Sequence, residues 1–496
     1  QDVVDWANKY LGPESYAIIY KREGKDPDEQ KIAAPKITPI VTNRDSQSEF
    51  LSEIQTSQVQ PIEPVFVDYK KDMSQFEAQP GIDVLYKKNE TNDIFTLIYV
   101  FNTGTENDPA LNLAFNYLSY LGTDKMTAEE IASEMYDIAC SFYMNAGANQ
   151  SSIQITGLSE NMGKAMEIVE GLIAGAKPDE AILENCKADM LKSRADAKLN
   201  QSRCFGALQR YLFYGGDFIR RTTLTDPALQ ALTSEQLLAK IGDLTGKQHE
   251  VLYYGPQKEA EVKSALAKHH KVAADLQPLE KKFSALLPTD ANKVVLAQYD
   301  AKQLYYLQFS NRGEKFDVAA DPEITLYNEY FGGGMNTIVF QEMREARGLA
   351  YSAWATLATP SNANGDYSYY AFIATQNDKM QKAVEAFDDI INNMPESEKA
   401  FGIAKEALVS RLRTVKDGVL WSYLRARDLG LDAPRDKQIF EKVQSMTLDD
   451  VKAAQQKWVK GRKYVYGILG DIQDLDLNYL KTLGPIQTVS QEEIFG

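Results

Sequence analysis

The chain has 496 residues, 44% apolar and 25% charged, with a formal net charge of −16. That length admits two or three domains with full-sized cores, and the composition is that of an ordinary globular chain. The acidic balance and the lack of any basic run argue against nucleic acid and anionic membrane as partners, and no apolar run reaches the ~18 residues that span a bilayer.

Taken in chain order, residues 2–10 read as a helix, Gly12-Pro13 as a break and 15–20 as a strand. Gln1 is not a start methionine, and no signal peptide opens the chain. Residues 1–20 therefore read as the C-terminal tail of an upstream domain, and the chain as a fragment or processed product. Residues 21–72, with Pro35, Pro39, Pro61 and Pro64, read as an interdomain connector or a structured hinge, with one short helix at 49–54.

Beyond residue 72 the sequence repeats itself. The strand-like 95–101 followed by Asn102-Thr-Gly104 matches 304–309 followed by Asn311-Arg-Gly313. An amphipathic helix through Met162, Ala165, Val169 and Leu172 ends at Pro178, and its counterpart through Met380, Val384, Phe387 and Ile391 ends at Pro395. Thr233 and Thr447 each open a helix with an acidic first turn, followed by Gly246 or Gly461 and an alternating strand. These landmarks recur in the same order at offsets of 209 to 217 residues. Two related domains are expected, 73–278 and 279–496. Each is an α+β, two-layer unit with a mainly antiparallel sheet covered by helices.

The chemistry-bearing residues are sparse. Cys140, Cys186 and Cys204 are too scattered for a disulfide framework or a thiolate zinc site. A Cys140–Cys186 or Cys186–Cys204 bridge is open to them, but buried free thiols are the better reading. His249, His269 and His270 are the only histidines. None has a His or Glu partner four residues on along a helix, so no metal site is expected from them and they read as surface residues. No G-x-S-x-G elbow or Cys-His pairing is evident.

One segment stands out, Phe331-Gly-Gly-Gly-Met-Asn-Thr-Ile-Val-Phe-Gln-Glu-Met-Arg-Glu-Ala-Arg-Gly-Leu-Ala-Tyr351. Three glycines permit a turn that side chains would forbid, a helix over 337–346 ends at Gly348, and a strand starts at 349. A phosphate cradle is disfavoured because no Gly-Lys-Ser/Thr follows. On the residues alone, Arg344 and Tyr351 are either two groups projecting to one side or a solvated arginine and a half-buried strand tyrosine.

Through Gly332, Gly333, Gly334, Met335, Phe340, Arg344, Gly348 and Tyr351 the segment resembles the signature of the C-terminal halves of pitrilysin/insulinase zinc metallopeptidases, and the repeat extends the resemblance over most of the chain. The resemblance implies the mitochondrial-processing-peptidase-like metallohydrolase fold, with four such domains enclosing a peptide chamber. Zinc is held in the first domain by H-x-x-E-H and a downstream Glu, in the N-terminal half, so no metal or other cofactor is expected in this chain. It also implies that Tyr351 hydrogen-bonds the scissile carbonyl, that Arg344 holds the substrate backbone and that Phe340 adds an apolar contact. Asn116, Ser119 and Tyr120 stand where the metal motif would lie in the third domain, and none can replace a ligand. The implied partners are the N-terminal catalytic half of the same polypeptide, or a separate catalytic subunit, and peptide substrates. A scaffold or assembly protein, or a non-catalytic partner subunit, are the alternatives on this fold. An exported or periplasmic location follows only if an upstream part carries a signal peptide.

Overall fold

Alternation decides which way each strand faces. In 95–101, Phe95, Leu97, Tyr99 and Phe101 enter one core while Ile98 and Val100 enter another, as in a sheet covered on both faces. The computed structural model describes residues 1–21, 24, 48–58, 60–414 and 418–496. They fall into two compact units, Gln1–Pro61 and Ile62–Gly496.

The larger unit holds two six-stranded sheets. Strands β1 (Ser74–Gln79), β2 (Ile82–Lys88), β3 (Ile94–Phe101), β4 (Cys140–Ala146), β5 (Ser151–Leu158) and β6 (His249–Gly255) build the first, in the order β1-β2-β6-β3-β5-β4. Strands β7 (Lys293–Gln298), β8 (Gln303–Ser310), β9 (Ser352–Ala358), β10 (Ser368–Gln376), β11 (Val465–Gly470) and β12 (Ile486–Val489) build the second, in the order β12-β7-β11-β8-β10-β9.

Five strands correspond between the sheets. The parallel pair β2–β6 matches β7–β11, and the antiparallel run β6-β3-β5-β4 matches β11-β8-β10-β9. The sixth strand differs: β1 is an antiparallel neighbour of β2, whereas β12 follows β11 in the chain and lies parallel to β7. The repeat extends to side chains. The hydroxyl of Tyr117 accepts the Asp179 N–H at 2.8 Å, and that of Tyr330 accepts the Ser397 N–H at 3.1 Å. Asp179 and Ser397 are the N-caps of helices Glu180–Lys198 and Glu398–Leu412. Thr233 and Thr447 form capping boxes with Gln236 and Asp450.

Each sheet buries its inner face under helices of its own repeat, Met162–Gly175 for the first and Met380–Asn392 for the second. The outer faces are covered by exchange. Helix Gln201–Thr222, broken at Gly215 (φ +83°), sets Cys204, Leu208 and Leu212 against Val295, Leu307, Phe309 and Leu469 of the second sheet. Helix Val419–Asp428 sets Val419, Leu420 and Leu424 against Leu85, Ile98, Val100 and Leu252 of the first. Among the described residues, ion pairs link the repeats from Arg427 Nη2 to Glu250 Oε2 at 2.7 Å and from Lys198 Nζ to Glu492 Oε1 at 3.6 Å.

Residues 62–72, expected as part of a connector, pack along this exchange. Phe66 meets Phe440 ring to ring at 5.4 Å, and the Tyr69 hydroxyl lies 2.8 Å from Ser422 Oγ. Pro35 and Pro39 lie outside the described residues. In the smaller unit, helices Asp2–Tyr10 and Glu49–Thr56 form as expected. The expected strand at 15–20 does not: it pairs with no strand among the described residues, and Ile18, Ile19 and Tyr20 are exposed. An alternating pattern becomes a strand only where a neighbour completes its hydrogen bonds. All three cysteines are buried and free. No helix among the described residues is long and apolar enough to cross a membrane.

Leu208 belongs to the first repeat in sequence and to the second sheet's outer core in space. Leu208→Ala is expected to cost about 2–5 kcal/mol. Native-state hydrogen exchange should show the lost protection in β8 and β11 rather than in β3.

Candidate functional site

Helix Asp321–Phe331 opens with Pro322 in its first turn and buries Tyr327, Tyr330 and Phe331. It stops at Gly332, whose N–H donates to the Asn328 carbonyl at 2.9 Å and whose carbonyl accepts the Ala355 N–H at 2.9 Å. A Cβ at Gly332 would overlap the Ala355 carbonyl oxygen, so glycine is required here by close approach to β9, at an unremarkable φ of −101°. Gly333 and Gly334 have free space around them. The expectation that three glycines permit a turn that side chains would forbid is corrected to one, Gly332, and on grounds of space rather than of backbone conformation. Thr337 Oγ1 donates to the Gly334 carbonyl at 2.7 Å, and Gln341 Nε2 to that of Met335 at 2.6 Å, which stitch the turn together.

The helix expected over 337–346 is α only at Ile338–Phe340 and widens into a π-helix over Gln341–Ala346. The Arg347 N–H reaches back to the Glu342 carbonyl (3.2 Å), and Gly348, at φ +58°, ends the run. Buried Met343 anchors this segment in the second core. Beyond it, Thr375 Oγ1 donates to the Leu349 carbonyl (2.5 Å) and the Tyr351 N–H to the Ala374 carbonyl (3.2 Å). Asn328 supplies both halves of a peptide-like pair to Leu357 of β9, each at 2.9 Å.

This path brings the three expected site residues together. The Arg344 guanidinium carbon lies 4.9 Å from the ring centroid of Phe340 and 4.9 Å from that of Tyr351. Held between two π faces, the guanidinium keeps its edge N–H groups directed outward in its own plane. Its nearest charge is Glu345, with Nε to Oε1 at 3.6 Å. Tyr351 is 75% exposed and Met335 71%, so the cluster faces solvent. Neither a fully solvated arginine nor a half-buried strand tyrosine describes the pair. Asn328 and the specific demand at Gly332 had no signal in the sequence.

In the first repeat, Asn116, Ser119 and Tyr120 are exposed on one side of the end of helix Leu111–Leu118, with Ser119 Oγ donating to the Asn116 carbonyl at 2.7 Å. An amide, a hydroxyl and a phenol offer neither the imidazoles nor the carboxylate that zinc requires, so these residues do not fit that metal. Among the described residues no group of three or more His, Cys, Asp or Glu could hold a metal ion. The histidines, expected at the surface, are not there. His249 and His270 are 4% and 5% exposed and touch one another, and His269 is half-buried. The alternation of His249, Val251 and Tyr253 places His249 on the inner face of β6, a signal the sequence did carry.

The family described as "Peptidase M16 inactive domain" matches residues 244–408, from the end of the first repeat through the Arg344–Tyr351 segment. An uncharacterized zinc protease of Rickettsia bellii is 23% identical over 317 residues, 62% of this chain and 73% of that protein. The peptidase M16 inactive domain from Pseudomonas fluorescens superposes with a TM-score of 0.65 at 18% identity, over 80% of this chain and 98% of that one. The periplasmic protease PqqL from Escherichia coli gives a TM-score of 0.62 at 14% identity, over 88% of this chain but only 49% of that one. The two helix-covered mixed sheets and the sequence match agree: residues 244–408 match the M16 inactive-domain family, and the chain carries the fold of such domains.

Proposed function

We propose that this chain is the C-terminal, non-zinc-binding half of a zinc-dependent metalloendopeptidase that degrades peptides or unfolded polypeptides in a closed chamber. In this reading residues 73–278 and 279–496 are the third and fourth of four domains. The zinc belongs to the N-terminal half, in the same polypeptide or in a catalytic subunit. The convergence of Phe340, Arg344 and Tyr351 on one solvent-facing cluster carries the proposal. The coverage supports it, since a two-sheet unit accounts for nearly all of one related structure and half of another.

The cluster suits a substrate-side role. Tyr351 offers a hydroxyl donor to a carbonyl oxygen as negative charge develops on it. Arg344, clamped by two rings, presents a planar fork to peptide carbonyls with little rotamer freedom left to lose. Phe340 supplies the apolar floor, and the bonds of Gly332 and Asn328 to β9 hold the cluster in place.

In the complete protein, Arg344→Ala and Tyr351→Phe should each lower kcat/KM for peptide cleavage about 10-fold or more. Unchanged turnover on every peptide tested would favour a scaffold built on this fold. Metal analysis of this chain alone should find no stoichiometric zinc, and chelator-sensitive cleavage by it would overturn the assignment. Gly332→Ala should lose about 1–3 kcal/mol in thermal unfolding and share the loss of turnover, because the turn must move off β9.

A further inference from the structure

Outside the Arg344–Tyr351 cluster, three side chains of the first repeat form an unbroken hydrogen-bonded string in the core. His249 Nδ1 lies 2.8 Å from the Lys247 carbonyl. A carbonyl only accepts, so His249 carries its proton on Nδ1 and leaves Nε2 a bare acceptor. His270 Nε2 lies 2.8 Å from it and must therefore be the donor. His270 Nδ1 then faces Glu170 Oε1 at 2.6 Å with one proton between them, and Glu170 Oε2 accepts the Lys271 N–H at 3.3 Å. The string ties β6 to helix Met162–Gly175 and to the end of helix Glu259–His269.

Aromatic rings close it in. Tyr99 of β3 stacks on His270 at 4.1 Å, and Phe101 lies 4.6 Å from His249. The other charges around it are accounted for element by element. Glu250 of β6 is paired with Arg427, and Asp243 of helix Ser234–Leu244 lies 3.2 Å from Lys247. Glu167, Lys268, His269 and Lys271 lie at the end where helices Met162–Gly175 and Glu259–His269 meet. The Tyr99 phenol is held neutral by burial and then by Glu170.

We infer that the His249–His270–Glu170 string is an acid-triggered latch on the first repeat. It holds with one proton between His270 and Glu170 and none on His249 Nε2. A further proton there sets two N–H groups against each other and parts β6 from the two helices. Burial, and then the charge of His270, push His249 from 6.5 down to about 4. The unfolded chain, at the ordinary value, takes that proton first. The stabilisation is therefore complete above about pH 6.5, drains as the pH falls, and is gone near pH 4, where the folded form also titrates.

The test compares the whole chain with His249→Gln, whose side-chain oxygen accepts from His270 and does not titrate. Between pH 7 and pH 4 the unfolding equilibrium constant of the parent should rise on the order of 100-fold more than that of the variant. Equal pH dependence in the two proteins would overturn the latch. Hydrogen exchange of the unmodified chain, corrected for the intrinsic effect of pH, decides the matter even if the variant fails to fold. Protection should fall in helices Met162–Gly175 and Glu259–His269 while β8 and β10 hold. Protection lost equally in both repeats, or retained in both, removes the proposal.

Discussion

The outer faces of the two sheets are what each repeat cannot bury by itself. Ile98, Val100 and Leu252 in the first sheet and Leu307, Phe309 and Leu469 in the second point away from the helices of their own repeat. Left bare, they would be apolar surface of the kind that drives association. Instead each is sealed by one helix lent from the other copy, and Arg427 closes on Glu250 at the margin. The pair of repeats is thereby one cooperative object, although the sequence presents it as two. Every other feature, the site segment included, hangs on sheets whose far sides are closed this way.

The repeats share a framework and differ in what they place inside it. Glu170 and Asp388 occupy equivalent positions on helices Met162–Gly175 and Met380–Asn392, and both carboxyls lie beneath a sheet. One is met by His270, the other by the Gln308 amide at 2.8 Å, and burial raises Asp388 above the usual carboxylate range. The same divergence appears at the ends of the equivalent helices Leu111–Leu118 and Asp321–Phe331. The first is followed by Ser119 and Tyr120, the second by Gly332 and the turn that leads to Arg344. Duplication supplied two scaffolds, and each accepted different polar chemistry where packing tolerated it.

Much of this was legible in the residues. Period-2 alternation marked the strands, and threonine caps and glycine stops marked the helices that end each copy, because those signals are local. What was not legible depended on distant partners. The pattern at 15–20 has strand character without a neighbour to realise it. His249 and His270 are 21 residues apart, and nothing local says that they meet. The π-helical widening at Gln341–Ala346 follows from Met343 being drawn into the core and the turn being tied to β9, and neither is written in helix propensity. Arg344 and Tyr351 were visible as candidates, but their shared contact needed that widened turn.

The exchange of helices also sets an order of events as the chain is made. The first sheet is complete once β6 has emerged, yet the helix that seals its outer face follows roughly 160 residues later. During that interval Ile98, Val100 and Leu252 stand exposed. Helix Gln201–Thr222, meanwhile, holds its apolar stripe out for a sheet not yet synthesised. A nascent chain paused between the repeats is therefore the species most in need of a chaperone. Folding slows because contacts of such long sequence separation must wait for loop closure.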